Sequence, residues 1–217
     1  MYADIVLFVF MCLTAGHADH HHQPCHSHNM SGLMNVLSLK GEIRAVGTFT
    51  YDSVGQKLRF QSNESHPTNT SIALDLLMFF EEGIFYEIDS KNQSCERKKL
   101  QMTSHPLDIP DNAKFVGTVT SGSSSIEGEG LKLNTWGGKL KKMKDGVDGS
   151  YSMSVTMGCL PVNTFYFTET TSFLFSTYDV DLEIKDPDLL VVPSFCRGKP
   201  LEDTPEGTVN SFLHEFM

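Results

Sequence analysis

The chain has 217 residues, 40% of them apolar, and a formal net charge of −10. That length and apolar content suffice for one domain with a buried core, so disorder throughout is not expected. The acidic excess argues against nucleic acid or anionic membrane surfaces as partners, because both demand clustered Lys and Arg; the one basic run, Lys139 to Lys144, reads as a solvated turn or strand edge.

The first residues carry an apolar run from Ile5 to Leu13 followed by small residues, the shape of a secretory signal peptide over residues 1–18, with cleavage between Ala15 and Ala18. Its leading segment departs from the usual form, having Asp4 and no Lys or Arg. No later segment is apolar for long enough to cross a bilayer as a helix. Residues 19–32 form a His-rich strap. His20, His21, His22, His26 and His28 have the right chemistry for Zn²⁺ or Cu²⁺, but nothing around them preorganises a tetrahedral site, and an exposed tether is expected. Asn29, Asn63, Asn69 and Asn92 each open an N-x-Ser/Thr sequon, which marks a glycosylated surface of a secreted protein. With Cys12 removed in the signal, Cys25, Cys95, Cys159 and Cys196 remain, an even number in an oxidising compartment. Structural disulfides are expected; four cysteines allow three pairings, and the residues alone do not choose among them.

The body of the chain, residues 33–196, alternates with period two between Gly, Asn, Asp, Ser and Pro breaks, which predicts an all-β domain. Residues 42–62 read as a hairpin, with Ile43, Ala45, Gly47, Phe49 and Tyr51 on one face and Leu58 and Phe60 returning. Residues 72–80 alternate through Ile72, Leu74, Leu76, Met78 and Phe80, and turn at Gly83 into a partner strand bearing Ile84, Tyr86 and Ile88. Further strands are expected over residues 96–102, 114–120, 126–136 and 150–157; in the last, Tyr151, Met153, Val155 and Met157 share a face. From Asn163 onward Phe173 and Phe175 hold one phase while Tyr178, Val180, Leu182 and Ile184 hold the other, as a β-bulge or a sharp bend between strands produces. In "HPLDIPDNAKFVG", Pro106 and Pro110 fix φ and remove donors, so the chain leaves the sheet there, with Leu107 and Ile109 plugging the edge of the core. Residues 197–217 read as a loosely held tail.

Motifs with a catalytic rationale are missing from the sequence. There is no G-x-S-x-G elbow, H-E-x-x-H helix or phosphate-binding glycine loop, and every mature cysteine has a prospective partner. A non-enzymatic protein with no catalytic residue is expected.

The "PLDIP" loop, "FYEIDSKNQSC" before it, "DVDLEIKDPDLLVVPSFC" after it and the Cys-x-Pro-Val segment at Cys159 resemble the ependymin family, over nearly all of the mature chain. The resemblance implies a secreted, N-glycosylated, dimer-forming protein found in extracellular fluid and lysosomes. It implies a fold of two curved antiparallel sheets, a half-open sandwich or barrel similar to bacterial Lol-type lipoprotein carriers, with an apolar pocket. It implies the pairings Cys25–Cys159 and Cys95–Cys196. Mammalian members carry an additional bridge that this chain lacks, having no cysteine near Ser71 or after Cys196.

Two function classes follow. In the first, a lipid such as a fatty acid, or another hydrophobic small molecule, sits between the curved sheets. Strand phase nominates Phe49, Tyr51, Phe60, Leu76, Met78, Phe80, Tyr86, Met153, Val155, Phe173 and Phe175 as its lining, and 15 Phe and 10 Met supply adaptable surface. In the second, the protein is a calcium-binding extracellular adhesion or matrix glycoprotein, with Asp179/Asp181 and Asp186/Asp188 as the clustered acids, although no EF-hand spacing is present.

Overall fold

A computed structural model describes residues 23–38, 44–62, 74–100, 106–140, 149–167 and 172–202. The expected signal peptide, His20 to His22, Asn63, Asn69 and the expected tail beyond Glu202 lie outside these residues. Twelve strands follow in chain order: β1 (Met30–Ser38), β2 (Arg44–Asp52), β3 (Lys57–Ser62), β4 (Leu74–Phe79), β5 (Ile84–Asp89), β6 (Ser94–Lys99), β7 (Lys114–Gly122), β8 (Gly130–Leu140), β9 (Gly149–Thr156), β10 (Pro161–Phe167), β11 (Ser172–Asp181) and β12 (Leu201–Glu202). Two short 3-10 turns, Pro187–Leu190 and Ser194–Cys196, precede β12.

Turn chemistry fixes the hairpins. Between β2 and β3 the Asp52 carboxylate accepts the N–H groups of Val54 (3.0 Å) and Gly55 (2.9 Å). Between β5 and β6 the Asp89 carboxylate does the same for Lys91 and Asn92. Gly83 takes φ +64° between β4 and β5, a left-handed conformation that glycine enters without steric cost. The strand expected over residues 72–80 is present in its described part as β4, Leu74–Phe79.

The strands form one open sheet in the order β12-β6-β5-β4-β3-β2-β1-β11-β10-β9-β8-β7, antiparallel except for the short β12–β6 pair. The two anticipated sheets are therefore two meanders, β2 to β6 and β7 to β11, of a single sheet. The strand that unites them is β1, hydrogen-bonded to β2 on one side and β11 on the other. Its length means that the expected boundary between strap and body, after residue 32, falls inside a central strand. The expected bulge is present: pairing of β1 with β11 steps from Leu33↔Tyr178 to Ser31↔Asp181, and Asp179 sits at φ 49°.

The connection from β6 to β7 requires the sheet to curve. These strands stand ten interstrand spacings apart, about 48 Å if the sheet were flat. The 14 residues between Lys99 and Lys114 reach at most about 50 Å when fully extended. A flat sheet is ruled out because Leu107 and Ile109 of this connection are buried among residues of both meanders, Leu107 with Phe60 and Tyr151, Ile109 with Trp136 and Met153. The sheet thus curls around this segment and has an inner and an outer face. On the inner face Met34, Val36, Phe49, Tyr51, Phe60, Met78, Phe173 and Phe175 form one buried cluster, reached from above by Leu107. On the outer face of β4 and β5 the alternate residues Leu77, Phe79, Ile84, Tyr86 and Ile88 form a second cluster, covered by Leu190, Val192 and Phe195.

Candidate apolar ligand site

The nominated lining residues divide between the two faces. Phe49, Tyr51, Phe60, Leu76, Met78, Phe80, Phe173 and Phe175 share the main inner cluster. Met153 and Val155 lie in an adjoining inner cluster with Trp136 and Ile109. Tyr86 is on the outer face, edge-on to Phe79 with ring centroids 6.0 Å apart. The register places it there: Leu76 pairs with Glu87 and Met78 with Phe85, so Phe85, not Tyr86, continues the inner face across β5.

The inner face is roofed by a loop, not by a second layer of secondary structure. Leu107 is fully buried against the β1–β5 side and Ile109 is 3% exposed against Trp136, Met153 and Val155. Polar contacts fasten the loop to β10 and to the N-terminal strap. The Thr164 hydroxyl donates to the Pro106 carbonyl at 2.7 Å. From the N-terminal strap, the Ser27 N–H donates to the Asp108 carboxylate at 3.1 Å and the Ser27 hydroxyl donates to the Leu107 carbonyl. The Cys25–Cys159 disulfide ties that strap to the turn between β9 and β10, and the Cys95–Cys196 disulfide ties the C-terminal segment to β6. Both pairings implied by the resemblance are therefore present.

Burial raises the Asp108 carboxyl above the ordinary aspartate range, and the N–H groups of Ser27 and Ile109 with the nearby His26 hold the rise in check. Burial, reinforced by Asp108, pushes the Tyr51 phenol well above its usual value, so it remains neutral. The Tyr51 hydroxyl accepts a hydrogen bond from Gln56 Nε2 at 3.2 Å.

The β7–β11 part of the inner face carries aromatic contacts whose members, apart from Phe175, are absent from the nominated set. Phe115 meets Trp136 at 5.3 Å, Tyr151 meets Tyr166 at 6.5 Å, and Tyr166 meets Phe175 edge-on at 5.7 Å. The signal for Tyr151 is its shared phase with Met153 and Val155; Trp136 joins them only through the β8–β9 register, which opposes Trp136 and Met153. Met157, expected on the same face, lies past the end of β9 and is 62% exposed.

Other polar features lie outside the nominated lining. A groove of about 580 Å³ is lined by Gln61, Asp75, Glu87, Asp89, Lys91 and Glu96 among others, and contains none of the nominated residues. Its Asp75 is already engaged by Arg59, whose Nε and Nη2 donate at 2.8 and 2.7 Å while Nη1 donates to the Leu189 carbonyl. That contact fastens the sheet to the segment covering the outer face. The clustered acids near the C-terminus have local tasks: Asp181 pairs with Lys185, and the Asp186 side chain accepts the Asp188 N–H at 3.1 Å, capping the first 3-10 turn. Among the described residues no group of three or more His, Cys, Asp or Glu side chains is placed to hold a metal ion. His26 and His28 are exposed. No helix among the described residues is long and apolar enough to cross a membrane.

The ependymin family model matches residues 68–196. Ependymin-2 of Salmo salar is 41% identical over 219 aligned residues, covering 99% of this chain and 97% of the relative. Ependymin of Esox lucius is 40% identical, covering 94% of each chain. Among solved structures, an uncharacterized conserved protein from Thermus thermophilus aligns over 82% of this chain and 91% of its own with TM-score 0.49 and 6% identity, a likeness too loose to bear on function.

Proposed function

The chain belongs to the ependymin family, and from that premise we propose that it is a secreted, N-glycosylated, non-enzymatic protein that holds an apolar ligand against the inner face of its curved sheet. The observation that carries this reading is the roof. A face assembled from two meanders and β1 is covered by a loop whose buried apolar side chains, among the described residues, are Leu107 and Ile109.

The magnitudes favour exchange. Burying two aliphatic side chains stabilises the closed loop by about 3–6 kcal/mol, at roughly 1.5–3 kcal/mol each. An acyl chain recovers about 0.8 kcal/mol per buried CH₂, so roughly four to eight methylenes offset the displaced anchors. A lipid chain of ordinary length exceeds that, and the surrounding Met30, Met34, Met78 and Met153 side chains adapt to irregular shapes. Ligand entry in this reading lifts the 106–113 loop while the Cys25–Cys159 bridge keeps the strap beside it.

Secretion rests on the signal-like N-terminus, the sequons and the paired cysteines. Two of the four sequon asparagines fall among the described residues, and both are exposed: Asn29 before β1 and Asn92 in the β5–β6 turn. Homodimer formation and a lysosomal destination belong to this proposal on family grounds alone. Native mass spectrometry of the full protein expressed in eukaryotic cells tests it. A co-purifying lipid mass, with saturable binding of a fluorescent acyl probe, is the expected result; neither being found would end the carrier reading.

A further inference from the structure

Among the described residues four buried side-chain polar atoms lack a hydrogen-bond partner: Asn35 Oδ1, Arg97 Nε, Trp136 Nε1 and the Tyr151 hydroxyl. The last two lie on neighbouring strands of the inner face. A buried unpaired donor costs free energy, so two together require a reason.

The backbone brings them to one patch. Trp136 and Gly138 share a face of β8, about 6.7 Å apart by strand geometry. Tyr151 stands opposite Gly138 in the β8–β9 register. Its phenol lies directly over that glycine: a Cβ built on Gly138 would fall 2.6 Å from the Tyr151 oxygen and 2.7–2.8 Å from two ring carbons. The absence of a side chain at 138 therefore lets the hydroxyl reach across to β8, two residues along from the indole. Trp136 is 2% and Tyr151 5% exposed, and Tyr166, Phe115 and Ile109 pack around them.

We infer that the Trp136 indole N–H and the Tyr151 hydroxyl form a hydrogen-bonding anchor for an uncharged carbonyl oxygen, such as that of a lipid ester, at the head of the apolar ligand. This rests on the carrier reading above and adds the chemical class and the orientation of the ligand. Both donors are neutral, and burial holds the Tyr151 phenol above its ordinary value, so it keeps its proton. The buried cations among the described residues are Arg59 and Lys98, on β3 and β6, and each is already paired with carboxylates, Asp75 for one and Glu87 with Glu96 for the other. Neither cation is at this patch to balance a carboxylate, which selects a neutral acceptor.

The test compares methyl cis-parinarate, a fluorescent ester, with diphenylhexatriene, a fluorescent hydrocarbon with no acceptor. Both are titrated into the full secreted protein and its Tyr151→Phe and Trp136→Phe variants. Tyr151→Phe removes only an unpartnered hydroxyl, so its melting temperature should equal or exceed that of the unaltered protein. It should weaken ester binding about 10-fold while hydrocarbon binding stays within about 2-fold. Trp136→Phe should weaken the ester relative to the hydrocarbon in the same sense. Equal losses for both probes in Tyr151→Phe, or no loss for either, would overturn the anchor and leave the carrier reading standing. Failure of the unaltered protein to bind either probe would overturn both.

Discussion

The two faces of the β4–β5 region pose the same problem and solve it differently. On the outer face Leu77, Phe79, Ile84, Tyr86 and Ile88 are covered by the segment from Ile184 to Cys196. That cover is bolted down by the Cys95–Cys196 disulfide and by the Arg59 guanidinium, which grips Asp75 and the Leu189 carbonyl together. On the inner face a much larger apolar surface is covered by a loop bearing Leu107 and Ile109, with no covalent bond of its own to the sheet. Its fastening is the Thr164–Pro106 hydrogen bond and, indirectly, a strap tied at Cys25–Cys159. A permanently fixed cover suits structure, and a removable one suits a site; the unpartnered donors Trp136 and Tyr151 lie beneath the removable one.

Breaking the fixed cover should have the largest effect. Replacing Cys95 and Cys196 together by Ala opens a link spanning 101 residues. In the chain-entropy model this costs about 4–5 kcal/mol, read by denaturant unfolding, while the acyl-probe affinity of the folded fraction should be unchanged. Loss of binding in that fraction would show that the outer cover is also part of the site.

The comparison sharpens with a matched pair of truncations. Leu77 and Leu107 are both 0% exposed, one on the outer face and one in the inner roof. Each change to Ala should cost about 2–5 kcal/mol of stability. Only Leu107→Ala should shift probe affinity or the rate of probe entry in stopped flow, because only that side chain must leave for ligand to enter. Gly138→Ala is expected to cost about 1–3 kcal/mol, since the new methyl overlaps the Tyr151 phenol and the ring must move. It should weaken the ester probe more than the hydrocarbon.

The smallest effect concerns pH at the roof. Asp108 has a folded-state carboxyl held above its ordinary value of 3.8, mainly by burial. The folded state therefore binds more protons than the unfolded state just above that value. Stability from this group is fully present below it and is lost as pH rises through the folded-state value. Asp108→Asn keeps an acceptor for the Ser27 and Ile109 N–H groups and should flatten this decline in melting temperature as pH rises above the ordinary aspartate value of 3.8. An unchanged slope would remove Asp108 as its source.

Much of this architecture is legible in the sequence. Alternation locates the hairpins and two prolines locate the roof; the phase change expected between Phe175 and Tyr178 announces a bulge that falls slightly later, between Tyr178 and Asp181. Long-range pairing is what the local pattern does not reach. β1 reads "MSGLMNVLS", with Ser, Gly and Asn at alternate and intervening positions, and its buried residues are mostly methionines; local β-propensity is weak there, and tertiary pairing with β2 and β11 decides. Without that strand, one sheet reads as two. Tyr86 reads as inner-facing because a strand displays two faces and only the length of the preceding turn tells which one looks inward. Tyr151 and Trp136 are distant in sequence and become one patch only through the β8–β9 register.

Trp136 is the sole tryptophan of the chain, so the protein carries its own reporter beneath the roof. The most direct measurement is energy transfer from Trp136 to methyl cis-parinarate as the ester is titrated into the full secreted protein. Saturable quenching of tryptophan emission with matching sensitised parinarate emission, shifted to higher ester concentration in Tyr151→Phe, is the result expected. Parinarate binding without transfer from Trp136 would place the ligand elsewhere and contradict an inner-face site.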